Sequence, residues 1–408
     1  MPVAPYTLAV LDEQQSFEII GSLCEVRVAS ESAGAAAGSI AGPDTRMVTM
    51  TVTEKGYCLD GDGRLDLRHP DIIDDLEHPE APQSAIGFLV EGLRLRRLRQ
   101  MPAVAVLSCD NLAGNGRLLA AAARDYAAAL DPDLARWIEA EIPFPSSMVD
   151  SITPATTDAL VQRVASQLGV EDRWPVQREA FVQWVVEEHR SRESPDWERA
   201  GVTLTDDVSG YERAKLRLLN GAHSALAYVG LLRGHETVAE AMRDVQLKTF
   251  VRDLMREDVA PTLPRVRGLD IEQYVESVLR RFANPAIRHE LAQIAWDGSK
   301  KLPIRILGTL RDSLAAGAPI DRPCMTLAAW MQFVRRRTAA GIALVDPLAE
   351  RLACLARERT TGEAEADVRA FLALDEVFPR EIATDAHFRG TLERAYRRLS
   401  DAQSALTT

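Results

Sequence analysis

The chain has 408 residues and a formal net charge of −12; 46% of its residues are hydrophobic and 26% are charged. This length is sufficient for two or three domains with sizeable cores, and the acidic balance disfavours nucleic acid or an anionic membrane as a partner. The five cysteines are dispersed and form no C-x-x-C pair, so we expect neither disulfides nor a metal site. Neither a signal-peptide pattern nor a membrane-length apolar run is found, which favours a soluble, cytoplasmic protein.

The first half of the chain alternates strand and helix patterns. In chain order these are strands at 6–11 and 17–29, a small-residue loop or loose helix at 31–42, a strand at 46–53, a helix at 84–101 with Ser84 near its start, an apolar strand at 103–111, and a helix after a glycine-rich turn at 111–130. Such alternation predicts a parallel sheet flanked by helices. Ligands of such sheets bind beyond the carboxyl ends of the strands. The candidate cofactor residues at these ends are Thr53, Glu54, Lys55, Ser108, Asp110 and Asn111.

After about residue 200 only helical patterns are recognised. They cover 211–232, 235–255, 271–284, 286–296, 303–316, 325–340, 346–359, 362–374 and 387–407, with Pro and Gly between them. The fold class predicted is therefore α/β plus all-α, with an α/β domain at 1–203 and a helical domain at 204–408.

The helix predicted at 211–232 is apolar on nearly every side yet carries four polar residues near its start. With Lys215 at zero and 100° per residue, Glu212, His223 and Asn220 all fall within an arc of roughly 140°. An internal ion pair with a core histidine is one explanation. The other is an acid/base site, because a desolvated lysine can serve as a base while amide and imidazole groups hold the oxygen that it deprotonates. The six other histidines are scattered, and no role is predicted for them.

Six segments resemble, in order, those of the polyol-specific long-chain dehydrogenases, the mannitol dehydrogenase and fructuronate reductase family. They are "TVTEKGYCLD" (51–60), "LSCDNLAGNG" (107–116), "FPSSMVDSITPAT" (144–156), "FVQWVVEE" (181–188), "KLRLLNGAH" (215–223) and "WDGSKKLPIR" (296–305). The resemblance covers essentially the whole chain. It implies a Rossmann-like N-terminal domain, a multi-helical C-terminal substrate domain and metal-independent chemistry with NAD; the choice between NAD and NADP stays open.

The resemblance also implies roles for individual residues. Lys215 matches the general base, Asn220 and His223 match the groups that bind the reacting oxygen, and Glu212 matches a proton relay to solvent. Lys301 matches a lysine that binds the far hydroxyls of the substrate.

Three departures from the family pattern bear on substrate and cofactor. Ser146 stands where mannitol dehydrogenases have an oxyanion-binding asparagine, and Gln293 stands where they have a substrate-binding arginine; both positions remain substrate-binding candidates. Both replacements resemble the pattern of the hexuronate-reducing branch of the family more than that of the mannitol dehydrogenases. The glycine-rich pyrophosphate turn of the family is not recognised, and Gly34 to Gly42 has the wrong spacing for it. The N-terminal domain is therefore expected to be incomplete.

These observations predict an NAD(P)-dependent oxidoreductase that interconverts a sugar-derived ketone and its secondary alcohol. The first substrate hypothesis is the reduction of D-fructuronate to D-mannonate. The alternatives are a polyol 2- or 4-dehydrogenase acting on mannitol or arabinitol, and a truncated, catalytically inactive family member. A monomer or weak oligomer is expected.

Overall fold

The computed structural model describes residues 5–12, 15–189 and 196–404. Its contacts divide the chain into two compact units, Met1–Glu212 and Arg213–Thr408. The first unit contains all the strands of the described residues, and the second unit is helical.

The strands of the first unit form short paired groups. They are β1 (Tyr6–Leu11), β2 (Ser16–Ile20), β3 (Met47–Met50), β4 (Ala105–Ser108), β5 (Ser147–Asp150), β6 (Val176–Glu179), β7 (Gln183–Glu187) and β8 (Val202–Thr205). Parallel pairing joins β1 to β6, β3 to β4 and β7 to β8, whereas β2 pairs with β1 and β5 with β7 in the antiparallel sense. The prediction of a parallel sheet was thus right for three pairs and wrong for two.

The helices of the first unit pack beside these strands. They are α1 (Ala33–Ile40), α2 (Pro70–Glu77), α3 (Ala85–Leu98), α4 (Asn115–Leu130), α5 (Pro132–Glu141) and α6 (Asp158–Leu168). α3 begins where expected because the Ser84 hydroxyl accepts a hydrogen bond from the Gly87 N–H, which caps the helix. Its apolar residues pack with those of β4 and α4 in one core that includes Val106 and Tyr126.

Several predicted elements of this unit differ from the structure. The strand predicted at 17–29 ends at Ile20, because residues 21–28 are exposed and lack a buried face to hold them in a sheet. Gly34 to Gly42 is not a loop throughout: most of it forms α1. β8 lies beyond residue 200, where strand patterns were not recognised; its four residues are too few to show a clear period.

The second unit is built from thirteen α-helices and three π-helical segments among the described residues, counting α7, which begins in the first unit. The helices are α7 (Val208–Ala214), α8 (Gly221–Leu232), α9 (Val238–Arg243), α10 (Val245–Asp253), α11 (Ile271–Ala283), α12 (Leu291–Ile294), α13 (Gly298–Leu302), α14 (Gly308–Ala315), α15 (Asp321–Ala339), α16 (Ala349–Glu358), α17 (Ala364–Leu372), α18 (Arg380–Ala383) and α19 (Ala386–Ser404). The π segments are π1 (Lys215–Asn220), π2 (Leu254–Val259) and π3 (Pro303–Leu307). α15 packs against α8, α16 and α19, and its Trp330 contacts Phe371 edge-on.

Arg217 fixes π1 against its neighbours. The Arg217 Nη1 donates to Asp312 Oδ2 at 2.6 Å and to Thr262 Oγ1 at 3.0 Å. A side chain at Gly308 would approach the same guanidinium at 3.1 Å, so glycine leaves room for it. The short chain segments that follow π2 and π3 are therefore tied to π1 by one buried arginine.

None of the described helices is long and apolar enough to cross a membrane.

Candidate active site

The predicted catalytic lysine and asparagine lie at the two ends of π1. α7 leads directly into π1, and π1 into α8, with right-handed helical backbone at both junctions. A π turn closes hydrogen bonds between residues five apart. Lys215 and Asn220 are five apart, so the π turn brings them close to one face, whereas a regular α-helix would separate them by about 140°. Single π turns inside helices occur frequently at functional sites.

His223 is buried within α8 and has an unsatisfied ring nitrogen. Its side chain is only 6% exposed, and its Nε2 has no hydrogen-bond partner among the described residues. The ring stacks on Phe282 with centroids 4.2 Å apart and meets His289 edge-on at 5.1 Å. Because a buried polar atom without a partner is costly, this nitrogen is suited to bind a ligand oxygen.

Four basic side chains act electrostatically on the His223 imidazole. Burial lowers the pKa of His223 well below its usual range, and the nearby charges of His289, Arg305, Arg281 and Lys301 lower it further. Burial also lowers the pKa of Lys301, whose Nζ lies 3.4 Å from the Ile294 carbonyl oxygen and 4.0 Å from Asp297 Oδ2. This part of the second unit therefore combines a neutral imidazole with partly buried cations.

Glu212 is the last residue of the first unit and is held there by the turn before α4. The Gly114 N–H donates to both Glu212 carboxylate oxygens at 3.2 and 3.3 Å. Gly114 has a φ of 62°, a backbone conformation that glycine adopts without strain. The structure gives Glu212 a fixed position; its role as a proton relay stays a prediction.

The predicted cofactor residues lie beyond β3 and β4, which are hydrogen-bonded neighbours. The Asp110 carboxylate accepts the N–H groups of Val52 and Thr53 at 3.0 and 2.8 Å, and it accepts the Tyr57 hydroxyl at 2.8 Å. Thr53 has a φ of 63°, a strained conformation for a β-branched residue. Glu54, Lys55 and Asn111 are exposed at the same edge. The strand ends were therefore correctly grouped from the sequence.

Two of these residues, Ser108 and Asp110, use their polar side chains within the loop. Ser108 is fully buried, and its hydroxyl contacts the Tyr57 hydroxyl. Both Ser108 and Asp110 thus shape the loop that carries Thr53, and their direct contact with a cofactor stays a prediction. The exposed Thr53, Glu54, Lys55 and Asn111 fit one side of a dinucleotide site at the carboxyl edge of a parallel pair.

Ser146 and Gln293, the two departures from the family pattern, have different surroundings. Ser146 is buried, and its N–H donates to Glu187 Oε2 at 2.8 Å. Gln293 is exposed on α12, and its side chain has no hydrogen bond to a described residue. The structure therefore does not join Gln293 to the group around His223.

The sequence predicts no metal site, and among the residues that the structure describes there is one small group of possible ligands. Cys58, His69 and Asp71 place one ligand atom each within 4.8 Å of one another. The His69 Nδ1 accepts the Asp71 N–H and caps α2, which accounts for the proximity of these two side chains without an ion.

Two comparisons with protein families match nearly the whole chain. Residues 4–199 match the mannitol dehydrogenase Rossmann domain, and residues 207–400 match the mannitol dehydrogenase C-terminal domain. The chain belongs to the mannitol dehydrogenase family. Its first unit is Rossmann-like and its second unit is the helical C-terminal domain of that family, as predicted from the six segments.

Individual family members are similar over most of their length. D-Mannonate oxidoreductase of Escherichia coli (strain K12) is 40% identical over 95% of this chain and 80% of its own. Mannitol 2-dehydrogenase of Phaeosphaeria nodorum is 35% identical over 97% of this chain and 69% of its own. The Pseudomonas fluorescens mannitol 2-dehydrogenase ternary complex with NAD and D-mannitol superimposes with a TM-score of 0.80 at 36% identity, over 99% of this chain and 82% of its own.

Sequence reasoning missed two residues that lie beside the candidate site residues His223 and Asn220. His289 was assigned no role, yet its ring contacts His223 and its Nδ1 has no partner among the described residues. Arg305 ends the segment "WDGSKKLPIR", which was recognised without a role for its arginine; its Nη1 lies 3.5 Å from the Asn220 carbonyl oxygen. The segment "WDGSKKLPIR" could have pointed to Arg305 as a site residue. No such signal existed for His289, which lies in none of the six segments.

The buried His223 and the half-buried His289 predict how stability depends on pH. Burial lowers the pKa of His223 and of His289 in the folded protein, so below about pH 6.5 the unfolded chain binds protons that the folded chain does not. Stability should therefore fall on acidification by up to about 1.4 kcal/mol per pH unit for each histidine. Thermal unfolding of the wild type and His223→Gln, measured from pH 7.5 to 5.5, should show a shallower loss for the variant. Parallel curves would contradict a neutral, buried His223, because the titration of other groups is common to both proteins.

Proposed function

We propose that this protein is an NAD-dependent oxidoreductase that interconverts the ketone and the secondary alcohol of a sugar acid, with D-fructuronate and D-mannonate as the first candidate pair. The observation that carries the proposal is the buried, unpartnered Nε2 of His223 on the helix that also bears Lys215 and Asn220. The 40% identity to D-mannonate oxidoreductase supports the choice of sugar acid.

The chemistry assigned to the chain is proton transfer and orientation. In the direction of oxidation, Lys215 takes the proton of the substrate hydroxyl while Asn220 and His223 donate hydrogen bonds to its oxygen. A neutral His223 can donate from Nε2 if its tautomer carries the proton there. Glu212 then passes the proton to solvent, and Lys301 binds the far end of the substrate. NAD, when bound, accepts the hydride from the carbon that carries this hydroxyl.

The cofactor would be held by residues at the β3 and β4 edge. We assign this role to the exposed Thr53, Glu54, Lys55 and Asn111, with Ser108 and Asp110 fixing the loop beneath them. The side chain of Lys55 can pair with a phosphate or a ribose hydroxyl.

A polyol such as mannitol is the second candidate substrate. The identity to mannitol 2-dehydrogenases and the likeness to the complex with NAD and D-mannitol favour it. Ser146 argues against it, since this position carries an asparagine in the mannitol dehydrogenase pattern.

The first experiment is a fluorescence titration of the purified chain with NADH, followed by assays on D-fructuronate, D-mannonate, D-mannitol and D-arabinitol. Saturable binding and turnover of the first pair are expected. No binding up to millimolar NADH would contradict the proposal and favour an inactive relative. Turnover of polyols without turnover of the acids would support the oxidoreductase function and show that its substrate is a polyol instead of a sugar acid.

A further inference from the structure

Arg305 lies in π3. Its guanidinium is partly buried, and its positive charge has few hydrogen-bond or ion-pair partners among the described residues. Its Nη1 lies 3.3 Å from Ser224 Oγ and 3.5 Å from the Asn220 carbonyl oxygen. Its Nη2 and Nε make no hydrogen bond with any residue that the structure describes, and none of the carboxylates described lies within ion-pair distance. Arginine has five donors in a planar fork, so most of this fork is unused.

Two buried arginines of the chain, by contrast, are compensated. Arg96 donates to the carbonyl oxygens of Pro102, Ile40 and Gly42, and Arg217 pairs with Asp312. A buried charge without a partner is costly. The contrast indicates that Arg305 is retained for a partner that is not part of the chain.

The backbone of Arg305 is closely packed beneath the helix that bears the site. A Cβ at Gly221, the first residue of α8, would lie 3.1 Å from the Arg305 carbonyl oxygen. Glycine therefore allows π3 to approach the junction of π1 and α8. This contact fixes the guanidinium beside Asn220, one of the residues assigned to the reacting oxygen.

The surroundings favour an anion as the missing partner. Lys301 is on the preceding helix, α13, and both Lys301 and Arg305 have a lowered pKa, mainly through burial. The acidic groups that act on them are Asp297 and Asp346 for Lys301, and Tyr228 and Asp297 for Arg305. None of these forms a close ion pair with Arg305. A planar carboxylate matches the arginine fork in a bidentate geometry.

We propose that Arg305 binds the carboxylate of the substrate and thereby selects sugar acids over polyols, an inference that rests on the oxidoreductase function proposed above. D-Mannonate and D-mannitol test it directly, because they differ only in that the acid carries a carboxylate where the polyol carries CH₂OH. Both present an equivalent secondary alcohol for oxidation.

The experiment compares kcat and KM for these two substrates in the wild type, Arg305→Met, Arg305→Lys and the control Arg311→Met. Arg311 is exposed on α14, so its replacement removes the same charge outside the site. Arg305→Met should lower kcat/KM for D-mannonate by about 10- to 100-fold, the worth of hydrogen bonds to a charged group, mainly through a higher KM. D-Mannitol oxidation should change little, and Arg305→Lys should retain part of the preference for the acid.

The outcomes separate this inference from the proposed function. Failure of the wild type to bind NADH or oxidise either substrate would contradict the function itself. If the wild type oxidised D-mannitol without preferring D-mannonate, the proposed role of Arg305 would be overturned. The proposed oxidoreductase function would still stand. Equal losses on both substrates in Arg305→Met, or weaker NADH binding with an unchanged preference, would also overturn it, since the arginine would then serve the fold or the cofactor.

Discussion

Replacement of Lys215 by alanine is expected to lower kcat by about 10²- to 10⁴-fold, the usual contribution of general acid–base catalysis. The side chain is partly buried at the start of π1, and alanine has a high helix propensity, so the fold should persist. Steady-state assays on the substrate that the wild type turns over best would measure the effect, and circular dichroism would check the fold.

The matched control is Lys248→Ala, which removes an exposed lysine of α10 in the same unit. It should retain wild-type kcat. Added methylamine should restore part of the activity of Lys215→Ala by supplying the missing amine, whereas it should not affect the control. If Lys215→Ala kept the wild-type kcat, another group would have to be the base.

Replacement of Asn115 by aspartate, an isosteric change, is expected to destabilise the first unit strongly. Asn115 is fully buried, and its Nδ2 donates to the carbonyl oxygens of Ser108, Asp110 and Ser147 at 3.1, 3.0 and 2.8 Å. An aspartate oxygen at this position would face three acceptors and carry a buried charge. The free energy of unfolding should fall by about 3–5 kcal/mol, measured by urea denaturation.

Gln162→Glu is the matched control for this change. Gln162 is exposed on α6, and its replacement also exchanges an amide for a carboxylate. The control should unfold at nearly the wild-type urea concentration. An Asn115→Asp variant as stable as this control would contradict the role of Asn115 as the junction of β4, β5 and α4.

Local patterns predicted much of the fold. The fully apolar run around β4 and the Ser84 cap were recognised because strand burial and helix capping depend on residues adjacent in the chain. β2 was predicted too long because strand length depends on partners distant in sequence, and β8 was missed because its four residues show no clear period. The antiparallel pairing of β5 with β7 was not predicted, because strand pairing also depends on residues distant in sequence.

The candidate site was predictable in part. Resemblance identified Lys215, Asn220 and His223, and the strand periodicity grouped Thr53 with Asp110. Arg305 and His289 were not assigned a place in the site because their contacts with α8 and π1 join residues far apart in the chain. The exposed position of Gln293 depends likewise on the packing of α12 and could not be inferred from spacing.

The π turn of π1, which leads into α8, makes the positions of its side chains sensitive to insertions and deletions. If one residue were removed from π1, the remaining chain would close an ordinary α turn, and the side chains inside that turn would be redistributed around the helix. Arg217 would then no longer be directed at Asp312 and Thr262. Loops elsewhere in the chain can change length at small cost. A survey of viable length variants should therefore find residues gained or lost around α1 and in the loops, and none between Lys215 and His223.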